Sequence, residues 1–128
     1  MKEAYVSYDT AKLLKEKGFN WPTIEYYSSS GSIYRFSEGI ADICGILSYP
    51  RPTQQMACRW LREEHNIHIM PTIGCDVDRT PRIFYGVVIA LFNDYGDIDL
   101  RDPLDEKGYN SPEEAIEATL EYVLKNLI

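Results

Sequence analysis

The sequence has few cysteines and no long apolar run, and both absences limit the class of protein. Three cysteines at wide spacing are an odd number, which argues against a disulfide framework and indicates a reducing compartment. No run of about 18 apolar residues occurs, so we expect no transmembrane helix and no membrane partner. The opening MKEAYVSYD has no apolar signal region. We therefore expect a cytoplasmic protein without disulfides.

The familiar signatures of catalysis are missing as well. The sequence contains no glycine-rich phosphate loop, no G-x-S-x-G nucleophile motif and no H-E-x-x-H zinc motif. Internal repeats and low-complexity tracts are also missing. The sequence thus identifies no catalytic residue and no cofactor, and it favours a protein that is not an enzyme.

Positive charge is scarce at one end of the chain. Residues 1–92 hold ten acidic and ten basic side chains, whereas residues 93–128 hold ten acidic and three basic ones. The whole formal net charge of −7 therefore belongs to the C-terminal quarter. An acidic surface repels nucleic-acid phosphate. It is compatible with a basic protein partner or a cation, and it also keeps a protein dissolved.

A helix from Thr53 to Asn66 is the predicted centre of the chain. Pro50 and Pro52 hold the preceding backbone out of the α region, Thr53 is a good N-cap, and Asn66 tolerates the left-handed conformation of a helix end. We expect the apolar stripe of this helix to pack on a strand at 82–92. The stripe consists of Met56, Ala57, Trp60 and Leu61.

Two further helices and two hairpins are predicted around it. Helices are expected at Ser7–Lys17, which Gly18 ends, and from Ser111 onward, where Ser-Pro-Glu-Glu forms a capping box. The aromatic segments 23–27 and 32–36 form one hairpin through Gly31, and strands 67–75 and 82–92 form another, with Pro71 interrupting or ending the first of these two. Residues 37–47 fit either a short helix or a wrapped loop, and residues 93–110 fit a long polar loop.

These elements predict one α+β domain over residues 1–128. Its mainly antiparallel sheet has about four strands and is packed with three helices. The aromatic rings of the first hairpin are interpreted as core residues, although such a hairpin also serves some proteins as a base-stacking platform.

The polar side of the central helix is the first candidate binding surface. Its members, which the predicted core does not require, are Gln54, Gln55, Arg59 and Arg62. Exposed amides in the first turn of a helix suit an anion or the backbone of a partner.

A metal site is the alternative, with His65, His68, Cys75 and Asp76 as ligands. The same histidines would serve as bases if a cysteine, Cys44 or Cys58, were a nucleophile, but a buried cysteine is usually inert. The aspartate-rich segment 93–99 offers oxygen donors for a weakly held cation, without matching the calcium-loop pattern.

One phrase in the central helix resembles a known group of proteins. The run PTQQMA at residues 52–57, followed by RWLRE at 59–63, looks like a phrase shared by small proteins of gut Bacteroides and their phages. The opening SYDTAKLLKEKGF at 7–19 and the closing SPEEAIEATLEYVLKNLI at 111–128 resemble the same proteins. The resemblance implies a phage or mobile-element setting in a bacterial cytoplasm, and it implies no activity and no residue role.

Two hypotheses of different classes follow from the sequence. The first is a non-enzymatic accessory protein that acts through a protein partner or through self-association. The second is a metal-binding protein or metal-dependent enzyme that uses the histidines. Nucleic-acid binding by the aromatic hairpin is a third and weaker idea, because the net charge opposes it.

Overall fold

The computed structural model describes residues 4–35, 48–76, 82–92, 98–101 and 109–128. Within these ranges the chain forms three helices and six strands. The helices are α1 (Tyr8–Glu16), α2 (Gln54–His65) and α3 (Pro112–Asn126). The strands are β1 (Glu25–Ser28), β2 (Ile33–Arg35), β3 (Ser48–Pro50), β4 (Ile67–Asp76), β5 (Arg82–Phe92) and β6 (Ile98–Arg101). The predicted α+β class is confirmed.

Each helix begins at the residue that local chemistry indicated. The side chains of Ser7, Thr53 and Ser111 accept hydrogen bonds from the first-turn amides of α1, α2 and α3. Gly18 follows α1 with a φ of 96°, and Asn66 ends α2 with a φ of 56°. Left-handed conformations at these two positions stop both helices, since they turn the chain out of the helical path.

The strands belong to two separate antiparallel sheets. One sheet has the order β2-β1-β3, and the other has the order β4-β5-β6. In the second sheet, Ile67 lies opposite Leu91 and Asp76 lies opposite Arg82, as the predicted hairpin requires. Two strands were not predicted. β3 falls in the proline-containing approach to α2, and β6 falls within residues 93–110, where a long polar loop was expected. β4 also continues through Pro71, so the prediction that proline interrupts it is wrong.

The core lies between the helices and one face of the second sheet. Val87 and Ile89 of β5 are almost completely buried, and they share that face with Ile67 and Ile69 of β4. The helices contribute most of the other large buried side chains, among them Leu14, Trp60, Leu61, Leu120, Val123 and Leu124. Burying such aliphatic side chains stabilises the fold by about 1.5–3 kcal/mol each.

Helix α2 does not occupy its predicted place. Its closest neighbours are β4 and α3, whereas β5 is faced by α3. The prediction that the α2 stripe packs on residues 82–92 is therefore wrong in its partner. The stripe itself is confirmed, because Ala57, Trp60 and Leu61 are buried and Met56 is partly buried.

A charged cluster holds the first sheet to the N-terminal segment. Glu25 on β1 forms ion pairs with Arg35 on β2 and with Arg51 just after β3. The guanidinium of Arg51 also lies over the ring of Tyr5 at 4.1 Å and donates to the hydroxyl of Tyr27 at 3.2 Å. Tyr27 in turn donates to the carbonyl of Val6 at 2.7 Å. None of these contacts was predicted from the sequence.

Several predictions concern residues outside the described ranges. They are the open choice for residues 37–47, the role of Cys44 and most of the aspartate-rich segment 93–99. Among the helices that are described, none is both long and apolar enough to cross a membrane. Cys58, the cysteine whose side chain is described, is a free thiol.

Candidate functional site

The start of α2 is tied to two other parts of the chain. The backbone amide of Gln54 donates to the carbonyl of Ala4 at 2.8 Å, and its side-chain Nε2 donates to the carbonyl of Glu113 at 2.9 Å. Gln54 is only 6% exposed. The Nε2 of Gln54 is thus paired within the fold, where it positions α2 against α3, and the expected exposure of this side chain is not found, although Gln54 does line the groove described next.

One polar side of α2 borders a groove. The groove has a volume of about 800 Å³ and lies between α2, β4 and the start of α3. Gln54, Gln55, Arg59 and Arg62 line its α2 side, so the structure brings the four predicted residues to one groove. Gln54 is buried, and the other three are exposed. The sequence identified this side of the groove because these polar side chains have no place in the core.

The two walls of the groove carry opposite charge. Arg59 and Arg62 stand on the α2 wall, and Glu113, in the first turn of α3, stands on the other. Arg59 is paired with Glu63 at 3.0 Å, with both side chains about half exposed. Arg62 forms no ion pair within the described part of the chain. An unpaired exposed guanidinium is a strong donor to a carboxylate, because it offers two parallel N–H groups.

The groove is apolar between these walls. Ile69 and Pro71 contribute from β4, and Ile116 contributes from α3. Residues at i, i+2 and i+4 lie on one face of a strand, so Ile73 continues the apolar surface of Ile69 and Pro71 beyond the groove. Ile73 is 68% exposed. An apolar strip bordered by charged side chains is the usual composition of a protein–protein contact.

Cys58 also lines the groove, but it is not an activated nucleophile. Burial raises the pKa of its thiol to about 11, against a smaller opposing effect of the charge on Arg62. A catalytic cysteine needs the opposite shift, since the thiolate is the reactive form. The nucleophile hypothesis therefore finds no support at Cys58.

The four predicted metal ligands are not brought together. His65 is the last residue of α2, where its ring contacts the ring of Trp60 at 4.8 Å between centroids. His68 and Cys75 both belong to the extended strand β4, seven positions apart. At a rise of about 3.3 Å per residue their Cα atoms are about 23 Å apart, and Asp76 is farther still. His68 and Cys75 therefore cannot bind the same ion.

The described side chains also offer no alternative metal site. They contain no group of three histidine, cysteine, aspartate or glutamate residues placed to hold an ion. The side chains of Cys75 and Asp76 lie outside this description.

The sequence did not predict the floor or the second wall of the groove. Ile69 was assigned to a strand that Pro71 interrupts or ends, and Glu113 was assigned to the first turn of the last helix. None of these assignments signals a groove. The groove exists because α2 and α3 meet over β4, and no local pattern in the sequence encodes that meeting.

Comparisons with known proteins add nothing to this geometry. No protein-family model matches the chain, and neither a curated protein nor a solved structure matches it. Any function must therefore be argued from the residues of the groove.

Proposed function

We propose that this chain is an interaction protein that acts without catalysis and binds another protein in the groove between α2 and α3. The observation that supports this proposal is the groove itself. It combines an apolar floor with the exposed polar side chains of Gln55, Arg59 and Arg62, which no contact in the core explains. Side chains of this kind at a concave surface are most simply explained by a ligand.

The composition of the groove favours a protein over a small molecule. A volume of about 800 Å³ is large enough for either. However, the apolar surface extends past the groove to Ile73, which is 68% exposed on the same face of β4. An exposed apolar side chain next to a charged groove extends the contact beyond the reach of a small ligand.

The proposed setting is a phage or mobile element in a bacterial cytoplasm. This part of the proposal rests on the resemblance of residues 52–63 and of both ends of the chain to small proteins of gut Bacteroides and their phages. The net charge of −7 supports a protein partner in preference to nucleic acid, because a DNA- or RNA-binding surface needs an excess of basic residues.

The test compares partner capture by two charge-reversed variants. Tagged wild-type chain, Arg62→Glu and the matched control Lys12→Glu are each expressed with an untagged wild-type copy in a Bacteroides host, and the captured proteins, including the untagged copy, are identified by mass spectrometry. Lys12 is exposed on α1 and does not line the groove. We expect a defined partner with the wild type and with Lys12→Glu, and its loss with Arg62→Glu. Equal capture by all three chains would show that the groove is not the binding surface.

A further inference from the structure

The charges of the groove indicate what kind of partner fits it. An acidic peptide would meet Arg62 favourably but would also meet Glu113, and a basic peptide would have the converse problem. A suitable partner therefore presents a negative group opposite the α2 wall and a positive group opposite the α3 wall. Like charges placed opposite each other are costly, so this pattern selects strongly among partners.

A second copy of this chain has the required pattern. A two-fold axis that runs along the groove, between its walls, places the arginine wall of one copy opposite the glutamate wall of the other, and the reverse contact forms at the same time. A two-fold interface uses the same patch on both subunits and must be complementary to itself. We propose that the groove between α2 and α3 is the contact of a homodimer, in which Arg62 of each copy pairs with Glu113 of the other. This inference rests on the proposed function and specifies its partner.

The apolar residues of the same surface supply the centre of the contact. The floor residues Ile69 and Pro71 and the exposed Ile73 lie on one face of β4, beside the charged walls. A dimer covers these side chains, and the charged pairs at the border then fix the orientation of the two copies. This arrangement, with an apolar centre and a polar rim, is typical of protein interfaces.

The free edge of β4 offers a different route to a dimer, which Pro71 disfavours. β4 is an edge strand of its sheet as the structure describes it. Proline has no N–H, and within a strand its nitrogen usually faces a free edge. Pro71 therefore removes a backbone donor near the middle of this edge, which weakens pairing with another strand. Two copies are thus better joined through the groove than by strand pairing.

The experiment uses two single variants and their mixture. Sedimentation of the purified wild-type chain is expected to show a dimer. Arg62→Glu and Glu113→Arg each place two pairs of like charges in the homodimer, and each should weaken dimerisation by about tenfold or more. An equimolar mixture of the two variants restores both contacts, since Glu at 62 then faces Arg at 113 and the other pair is native. Both substituted residues are exposed, and circular dichroism checks that each variant is folded.

The outcomes separate this inference from the proposed function. Dimerisation of the mixture, but of neither variant alone, supports the two-fold contact. The proposal is overturned if the wild-type chain stays monomeric at high concentration. It is also overturned if the mixture dimerises no better than each variant does alone. If the wild-type chain is monomeric but captures another protein, and Arg62→Glu does not capture that protein, the homodimer is wrong while the groove remains a binding surface. If the chain is monomeric and capture is also unaffected, both proposals fail.

Discussion

The side-chain amide of Gln54 donates a hydrogen bond to the backbone carbonyl of Glu113 and thereby joins the starts of α2 and α3. The two residues are 59 positions apart in the chain. Because both helices border the groove, this partly buried contact sets the distance between its charged walls. The shape of the candidate site therefore depends on a residue that is itself almost completely buried.

Replacing Gln54 tests that role directly. We expect Gln54→Ala to lower the free energy of unfolding by about 1–2 kcal/mol, because it removes a hydrogen bond and leaves a gap between the helices. The matched control is Gln55→Ala, an exposed neighbour in the same turn, which should change stability by less than about 0.5 kcal/mol. Urea unfolding followed by circular dichroism measures both. Equal effects of the two substitutions would contradict the assigned role.

Glu117 on α3 stabilises the first turn of α1. Its Oε1 accepts from the hydroxyl of Thr10 at 2.5 Å and from the backbone amide of Ser7 at 3.1 Å. We expect Glu117→Ala to cost about 1–3 kcal/mol, because both donors lose their acceptor, and Glu117→Gln to cost less, because its oxygen still accepts. A double-mutant cycle with Thr10→Val measures the coupling. A coupling near zero would show that the two side chains act independently.

Acid should weaken the charged cluster of the first sheet. The hydrogen bond from Arg35, with the nearby charge of Arg51, holds the pKa of Glu25 below its ordinary value of 4.5, although partial burial opposes this. A lowered pKa in the folded state means that the carboxylate stabilises the fold above about pH 4.5, and that this contribution disappears as the pH falls through the folded pKa. The stability advantage of the wild type over Glu25→Gln should therefore shrink below that pH.

Urea unfolding of both chains from pH 7 to pH 3 measures this difference. Arg35→Gln is the informative second variant, because it removes the largest cause of the shift and should move the loss of stability to higher pH. If the difference in the free energy of unfolding between wild type and Glu25→Gln stays constant from pH 7 to pH 3, the carboxylate is not stabilised by its partners.

The thiol of Cys58 should resist alkylation in the folded protein. A rise of its pKa from 9.0 to about 11 lowers the thiolate fraction near neutral pH by about a hundredfold. We expect iodoacetamide to modify Cys58 at least that much more slowly in the folded chain than in urea, as measured by mass spectrometry of the peptide that contains it. Rapid modification of Cys58 in the folded chain at pH 7.5 would support the hypothesis that this cysteine is a nucleophile.

Local signals in the sequence were sufficient to predict the helices and the long hairpin of β4 and β5. Ser7, Thr53 and Ser111 begin helices because each side chain accepts a bond from a nearby amide, and that chemistry needs no tertiary contact. β3 and β6 were missed for the opposite reason. With three and four residues, they carry no periodic pattern, and their partner strands define them.

By itself, the sequence determined the α+β class, the helix ends and the polar residues of α2 outside its apolar stripe, since those follow from neighbours a few positions away. The tertiary structure alone decided which of these residues form a surface. It buried Gln54 against α3 and placed Glu113 and Arg62 along the same groove. Both outcomes depend on the packing of α2 and α3 over β4, which involves residues that are distant in the chain.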